Sequence, residues 1–488
     1  VSRASDADRA PSDPLLVPGP PAGTGRLLSL LVAAAFVVIL NETIMSVALP
    51  TLMQEFAVTA ATAQWLTTGF MLTMAVVIPF TGWLLTRLPL RAVFVLAMST
   101  FLAGTVMAGL APVFGVLIAG RVVQAVGTAL MMPLLMTTVM NVVPVTRRGA
   151  TMGVISVVIS VAPATGPTVG GVILEHLTWR WMFGTVAPIA LAALVAGSVW
   201  VRDVTERRRV PLDVVSGLLS AAGFASLVFG LSSIGEAAAG HAPLPPVLPI
   251  AAGVVVLSVF AARQLRLGDA ALLDLRVLAR PGYAVPLGVL LVGMMALFGT
   301  LILLPLYLQS VLGWDAQATG LALLPGGLVM ASVAYVTGRA YDRVGPRPLV
   351  RPGAVLAAAG LWGYALLLGP ATTAGLVTAL HVTLSAGLGL LFGPLMTTAL
   401  GALDRPQYPH GSALLSTLQQ VAAATGTAVF ITVLTVGTAA GLAAGAGQME
   451  ATMRGVHTAF LTGAVVHLVS LVGAFRVRRP APAPETAG

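Results

Sequence analysis

The sequence predicts an all-α polytopic membrane protein: fourteen transmembrane helices, in two six-helix bundles related by pseudo-symmetry plus two extra central helices. Three observations predict this. Of 488 residues, 57% are hydrophobic and 9% charged, with a mean hydropathy of +0.95, more apolar surface than a soluble globule of this size could bury. The apolar stretches are long enough to cross a bilayer as helices, at roughly 20 residues each. The arginines fall in alternate loops, the bias that sets membrane orientation. A β-barrel is excluded because its strands alternate apolar and polar, whereas residues 27–40 are apolar on nearly every face.

In chain order, a Pro-rich tail with Asp6, Asp8 and Asp13 covers 1–26 and is expected to be a disordered cytoplasmic segment. Spans follow at 27–52, 62–86, 91–111, 114–141, 150–174 and 181–201, the first bundle (27–201). The first is too long for a secretory signal and ends in Ala-Leu-Pro, so it is expected to be retained. Residues 202–281 form a linker holding two additional spans, at 213–235 and 245–262. The second bundle (282–476) has spans at 282–312, 317–341, 349–369, 372–401, 411–440 and 455–475, before a cytoplasmic tail at 477–488. With the N-terminus cytoplasmic, the inside loops receive Arg87, Arg91, Arg147, Arg148, Arg202, the run Arg207 to Arg209, Arg263, Arg266, Arg276, Arg280, Arg339, Arg343, Arg347, Arg351, Arg405, Arg476, Arg478 and Arg479, and the outside only Arg180 and Arg454. One missed span would reverse half of these, so the bias also supports the count and places both termini inside.

The net charge of +9 is therefore topological, and nucleic acid is excluded as a partner. There is no Cys, hence no thiolate metal site or thiol nucleophile. All 26 basic residues are Arg, and a phosphate-binding nucleotide loop needs its Lys. No His-Glu-x-x-His or serine elbow stands in a suitable context, so no catalytic residues, metal or cofactor are expected and the chain is not read as an enzyme.

The two halves repeat. Gly82, Arg87 and Arg91 are matched in spacing by Gly338, Arg343 and Arg347, 256 residues further on. Arg121, Gly127 and Leu135 to Thr138 are echoed by His381, Gly387 and Leu395 to Thr398, shifted by 260. Such repeats mark secondary transporters, whose substrate site lies between the halves near the midplane.

The motifs carried by these spans resemble the major facilitator superfamily, within it the fourteen-helix drug:proton antiporters. The stretch Gly82-Trp-Leu-Leu-Thr-Arg-Leu-Pro-Leu-Arg91 is similar to the family's first loop motif, with Thr86 where an Asp is usual; the copy Gly338-Arg-Ala-Tyr-Asp-Arg-Val-Gly-Pro-Arg347 keeps the acid as Asp342. Arg121, Gln124 and Gly127 match the buried-arginine motif, and Gly153, Gly166, Pro167, Gly170 and Gly171 the antiporter motif, with Ala162 replacing one Gly. Leu40-Asn-Glu-Thr-Ile-Met-Ser-Val-Ala-Leu-Pro50 resembles the fourteen-helix signature, whose acid usually falls at Asn41; here it is Glu42. The resemblance implies proton-coupled efflux of amphiphilic small molecules such as drugs or antibiotics across a bacterial cytoplasmic membrane, by a monomer. The alternative is a dedicated exporter or importer of one metabolite or siderophore on the same scaffold.

Glu42 is the carboxylate nearest the centre of any span, and its neutralisation by a proton or a cationic substrate suits an antiporter. A guanidinium at membrane depth must be paired or hydrated, so Arg121 is expected to tune the proton affinity of a carboxylate such as Glu42. The two loop motifs are expected to gate, with Asp342 pairing with Arg343, Arg347 or a helix N-terminus. The span-five glycines are expected to pack helices closely while Pro163 and Pro167 bend the helix, and the resemblance implies that this bend seals the pathway. Met45, Gln64, Trp65, Gln124, Thr128, Tyr307, Gln309, Gln419 and Gln420 are candidates for a roomy substrate cavity with few polar groups.

Overall fold

A computed structural model describes residues 24–479 except 59, 202, 204–212 and 239–243. The expected tails thus fall mostly outside the described residues, although 24–26 already belong to the first helix. Fourteen helices of twenty residues or more run in order among the described residues: α1 (Thr24–Glu55), α2 (Ala60–Arg87), α3 (Leu90–Gly109), α4 (Phe114–Val142), α5 (Arg148–His176), α6 (Trp181–Trp200), α7 (Val214–Ala238), α8 (Val247–Leu267), α9 (Pro281–Ser310), α10 (Ala316–Val344), α11 (Arg347–Leu367), α12 (Ala374–Gly401), α13 (Tyr408–Ala443) and α14 (Gln448–Arg476). Thirteen carry an apolar window long enough to cross a membrane. The other, α5, is 29 residues long.

Helices are the answer to a solvent without hydrogen bonds, because each satisfies its own backbone. Their ends follow local chemistry. Asp315 caps α10 by accepting from the Ala318 amide at 2.7 Å, and Thr373 caps α12 by accepting from Leu376 at 3.4 Å. Gly345, at φ +74°, ends α10 in a conformation other residues resist.

The packing reproduces the sequence repeat. Within the first half α1 contacts α4, α5 and α6, α2 contacts α4, and α3 contacts α4 and α6. Advancing each number by eight gives the contacts of the second half: α9 with α12, α13 and α14, α10 with α12, and α11 with α12 and α14. The halves join through a symmetric pair of seams, α5 against α10 and α13 against α2, with α5–α12 and α13–α4 behind them. This is the pseudo-twofold arrangement expected of two six-helix bundles.

The inserted helices break the symmetry. α7 lies on both α2 and α13, and α8 packs on α7, so one seam is covered and the α5–α10 seam is not covered in this way. Asp213 clamps the hairpin: it accepts from Arg263 Nε at 2.8 Å and Nη2 at 3.1 Å and from the Ser216 hydroxyl at 2.6 Å. Gln264 then donates to Ser216 Oγ at 2.6 Å and accepts from the Leu273 amide at 3.2 Å. The Arg263 guanidinium holds the Asp213 carboxyl down to about 2. A carboxyl depressed in the fold stabilises it above the ordinary carboxylate range and loses that contribution as pH falls toward about 2. Accordingly, Asp213→Asn is expected to speed amide exchange at the loop-side ends of α7 and α8 at neutral pH, and to change nothing near pH 2. Equal exchange in both proteins at neutral pH would remove the clamp from the account.

Candidate substrate and proton pathway

Inside the first bundle α3 and α4 meet backbone to backbone. A Cβ on Gly104 would collide with the Gln124 amide nitrogen, and one on Gly120 would lie 2.7 Å from the Ala108 nitrogen. That approach brings Thr105 to the Gln124 side chain. Gln124 Nε2 donates to Thr105 Oγ1 at 2.7 Å, and Thr105 donates to the Phe101 carbonyl at 2.7 Å. The amide oxygen of Gln124 is thereby turned toward Arg121, whose Nη1 donates to it at 2.6 Å and to Asn41 Oδ1 at 3.1 Å. The guanidinium also lies over the Phe70 ring, 4.1 Å from its centroid, a favourable site for a desolvated cation.

Arg121 is only 2% exposed, yet its direct partners are neutral. Arg121 Nε and Asn41 Nδ2 are buried donors with no partner among the described residues. Glu42, half-buried and one residue on from Asn41, is close enough for its charge to act on Arg121. Among the described residues no hydrogen bond or ion pair holds its carboxyl. One helix step turns a side chain by about 100°, which is why Asn41 takes the guanidinium and Glu42 does not.

Behind α1 stands the glycine face of α5. A Cβ on Gly166 would collide with the Thr43 side chain, and one on Gly170 would lie 2.9 Å from the Ile44 carbonyl. The contact therefore falls on the residues that directly follow Glu42. Gly171 faces open space, and the side chain of Pro167 lies outside the described residues.

At the arginine-rich end the halves are closed. Asp342 accepts from the Gly149 and Ala150 amides at 2.7 and 2.9 Å, so its partner is the N-terminus of α5 rather than Arg343 or Arg347. A Cβ on Gly338 would stand 2.5 Å from Gly153 Cα, joining a loop-motif glycine to an antiporter-motif glycine across the seam. Thr137 and Ser412 share a hydrogen bond at 2.7 Å, and Arg148 donates to the Tyr408 hydroxyl at 3.3 Å. On the other seam Gly82 meets α13, where an added Cβ would lie 3.3 Å from the Pro409 carbonyl and His410. These are the positions equivalent to Gly149 and Ala150. Thr86 turns back on its own helix and donates to the Trp83 carbonyl at 2.7 Å, so this seam lacks an acid at the position of Asp342.

The remaining candidates scatter. Gln124 and Thr128 are buried, and Thr128 donates to the Gln124 carbonyl at 3.1 Å. Met45 lies in an apolar cluster with Ile44, Leu66 and Phe183. Trp65 is 43% exposed and stacks on Phe229 of α7 at 6.1 Å. Tyr307 is buried and donates to the Gly369 carbonyl at 2.7 Å; Gln309 is exposed at the end of α9. Gln419 and Gln420 are half-buried, Gln420 Nε2 reaching Met74 Sδ across the covered seam at 3.6 Å. The side chain of Gln64 lies outside the described residues. Sequence reasoning missed Thr105 and Phe70 as supports of Arg121, and the α5 amides as the specific partner of Asp342. The equivalence of Gly149 with Pro409 under the 260-residue shift was the available signal for the last.

A pseudo-symmetric helical membrane protein with one cation buried between its central helices, sealed at one end by paired loop motifs, is a transporter of the alternating-access class. The sequence profile of the Major Facilitator Superfamily matches residues 31–427, and the chain belongs to that family. It is 38% identical over 459 residues to the lincomycin resistance protein LmrB of Bacillus subtilis (strain 168), covering 93% of this chain and 95% of that one. It is 30% identical to the puromycin resistance protein pur8 of Streptomyces alboniger, over 100% of this chain and 98% of that one. The crystal structure of the human organic anion transporter MFSD10 (TETRAN) superposes with a TM-score of 0.67 at 15% identity, covering 93% of this chain and 100% of that one. That likeness is one of fold.

Proposed function

We propose that the protein exports several amphiphilic small molecules, antibiotics among them, in exchange for protons. It acts as a monomer in a bacterial cytoplasmic membrane, with its termini and arginine-rich loops on the cytoplasmic side. The observation that carries this reading is the buried Arg121, fixed by neutral amides beside an unbonded Glu42. An unpaired carboxylate at membrane depth is costly, so Glu42 takes up a proton from one side and releases it when Arg121 or a substrate cation stabilises its charged form. Alternation follows from the seams: with the arginine-rich end closed, the pathway faces outward. Release of Asp342 from the α5 amides, together with parting of Gly338 from Gly153, opens it inward. The α1–α5 glycine contact seals the first half during that change. Gln419, Gln420 and Trp65, which border the α2–α13 seam, are the candidates to contact substrate. Relatives named for resistance to lincomycin and puromycin support the substrate class.

Expression of the full chain in an efflux-deficient bacterium tests this. Accumulation of lincomycin, puromycin and lipophilic cationic dyes is expected to fall, and a protonophore to restore it. Export of a single compound, or export indifferent to the protonophore, would contradict the reading and favour a dedicated carrier.

A further inference from the structure

Most of the arginines that make ion pairs in the described loops do so within a few residues or across one contact, as with Arg263 and Asp213, Arg276 with Asp269 and Asp274, and Arg280 with Asp404 at 2.6 Å. The end of α10–α11 and α14 is different. Arg343, Arg347, Arg476, Arg478 and Arg479 are exposed there and Arg351 is half-buried, and no ion pair joins any of them to a described acid. The acid among them, Asp342, is bound to the α5 amides.

Two of these arginines are held in place. Arg347 and Arg351, one turn apart on α11, reach the end of α14, where Arg347 Nε donates to the Val477 carbonyl and Arg351 Nη2 to the Phe475 carbonyl, each at 3.4 Å. These long bonds leave donors to spare, and Arg351 Nε is buried with no partner among the described residues. The Arg351 guanidinium lies 5.2 Å from the Phe475 ring centroid, and Phe475 is 53% exposed. A Cβ added at Gly345 would lie 3.6 Å from Arg479 Cδ, so the stem of Arg479 runs beside the same turn.

Apolar exposure continues from this cluster toward the membrane. Val355 follows Arg351 by one turn and is exposed; on α14, Val472 and Leu468 precede Phe475 by one and two turns and are exposed as well. A cationic head above two apolar stripes matches one ligand chemistry, a negatively charged phosphate diester carrying acyl chains. We propose that the end of the α11–α14 groove binds the headgroup of an anionic glycerophospholipid, with Arg347 and Arg351 on the phosphate and the chains along Val355, Val472 and Leu468. The inference uses the membrane-spanning fold and does not depend on what is exported or on proton coupling. Arginine suits the task because its planar fork matches phosphate geometry, and basic pockets at helix ends take such headgroups.

The test is native mass spectrometry of the delipidated full chain titrated with phosphatidylglycerol, phosphatidylcholine or inorganic phosphate. Phosphatidylglycerol is expected to bind at one preferred site, well ahead of phosphatidylcholine. The Arg347→Gln/Arg351→Gln pair is expected to weaken it on the order of thirtyfold, as for two arginines acting on one headgroup, while Arg347→Lys/Arg351→Lys, which keeps the charge but not the planar fork, is expected to weaken it less. Equal retention of the two lipids, unchanged affinity in the glutamine pair, or displacement of the lipid by inorganic phosphate would each overturn the proposal. The lysine pair and the comparison of lipids on the wild-type chain keep the test decisive if the glutamine pair does not fold.

Discussion

Glu42→Gln is expected to abolish uphill export while sparing exchange of substrate down its own gradient. The amide keeps the size and half-burial of the side chain but can neither take up nor release a proton. Asn41 and Gln124 hold the Arg121 guanidinium without help from Glu42, so the architecture survives. In a one-for-one antiporter each unit of pH gradient supports about a tenfold substrate ratio. In the variant the ratio is expected to fall to about 1 in sealed vesicles with an imposed gradient. Retention of a concentrative ratio by Glu42→Gln would move coupling to another group, and loss of downhill exchange as well would make the residue structural.

Gly338→Val is expected to stop turnover by a different route. The closed end leaves no room for a Cβ, which would stand 2.5 Å from Gly153 Cα and 2.6 Å from the Gly149 carbonyl, both backbone atoms with no rotamer to yield. Overpacking costs about 1–3 kcal/mol, and it falls on this conformation alone, because the inward-open state parts the two helices. A differential of that size shifts a two-state equilibrium by roughly 5- to 150-fold. The cysteine-free chain permits the measurement directly: spin labels on Arg147→Cys and Arg339→Cys, both exposed near this seam, should show a longer distance in the Gly338→Val background, with export nearly lost. Unchanged distances together with normal export would mean that the seam never closes during transport.

Much of this fold was legible because membrane helices announce themselves. Hydropathy gave the number of helices, arginine placement gave their order of alternation, and the 256- to 260-residue shift gave the symmetry that the helix contacts reproduce. The depth of Arg121 and its kinship with Gln124 were legible for the same reason, since both lie on one face of α4. What the residues alone could not give was register between helices. Whether Asn41 or Glu42 meets Arg121 depends on a rotation of about 100° in α1, set by how Thr43 and Ile44 seat against Gly166 and Gly170. Thr105 supports Gln124 only because Gly104 lets α3 touch α4. Tyr307 and Met45 read as possible cavity residues because a span has many faces, and the structure puts both against neighbouring helices.

The central claim is that export and proton entry are one exchange. Vesicles containing the purified full chain, loaded with a compound shown to be exported and a lumenal pH dye, are diluted into compound-free buffer with no imposed pH gradient. Outward flow of the compound is expected to acidify the lumen in the wild type and not in Glu42→Gln. A lumen that stays neutral or turns alkaline as the compound leaves would contradict proton antiport.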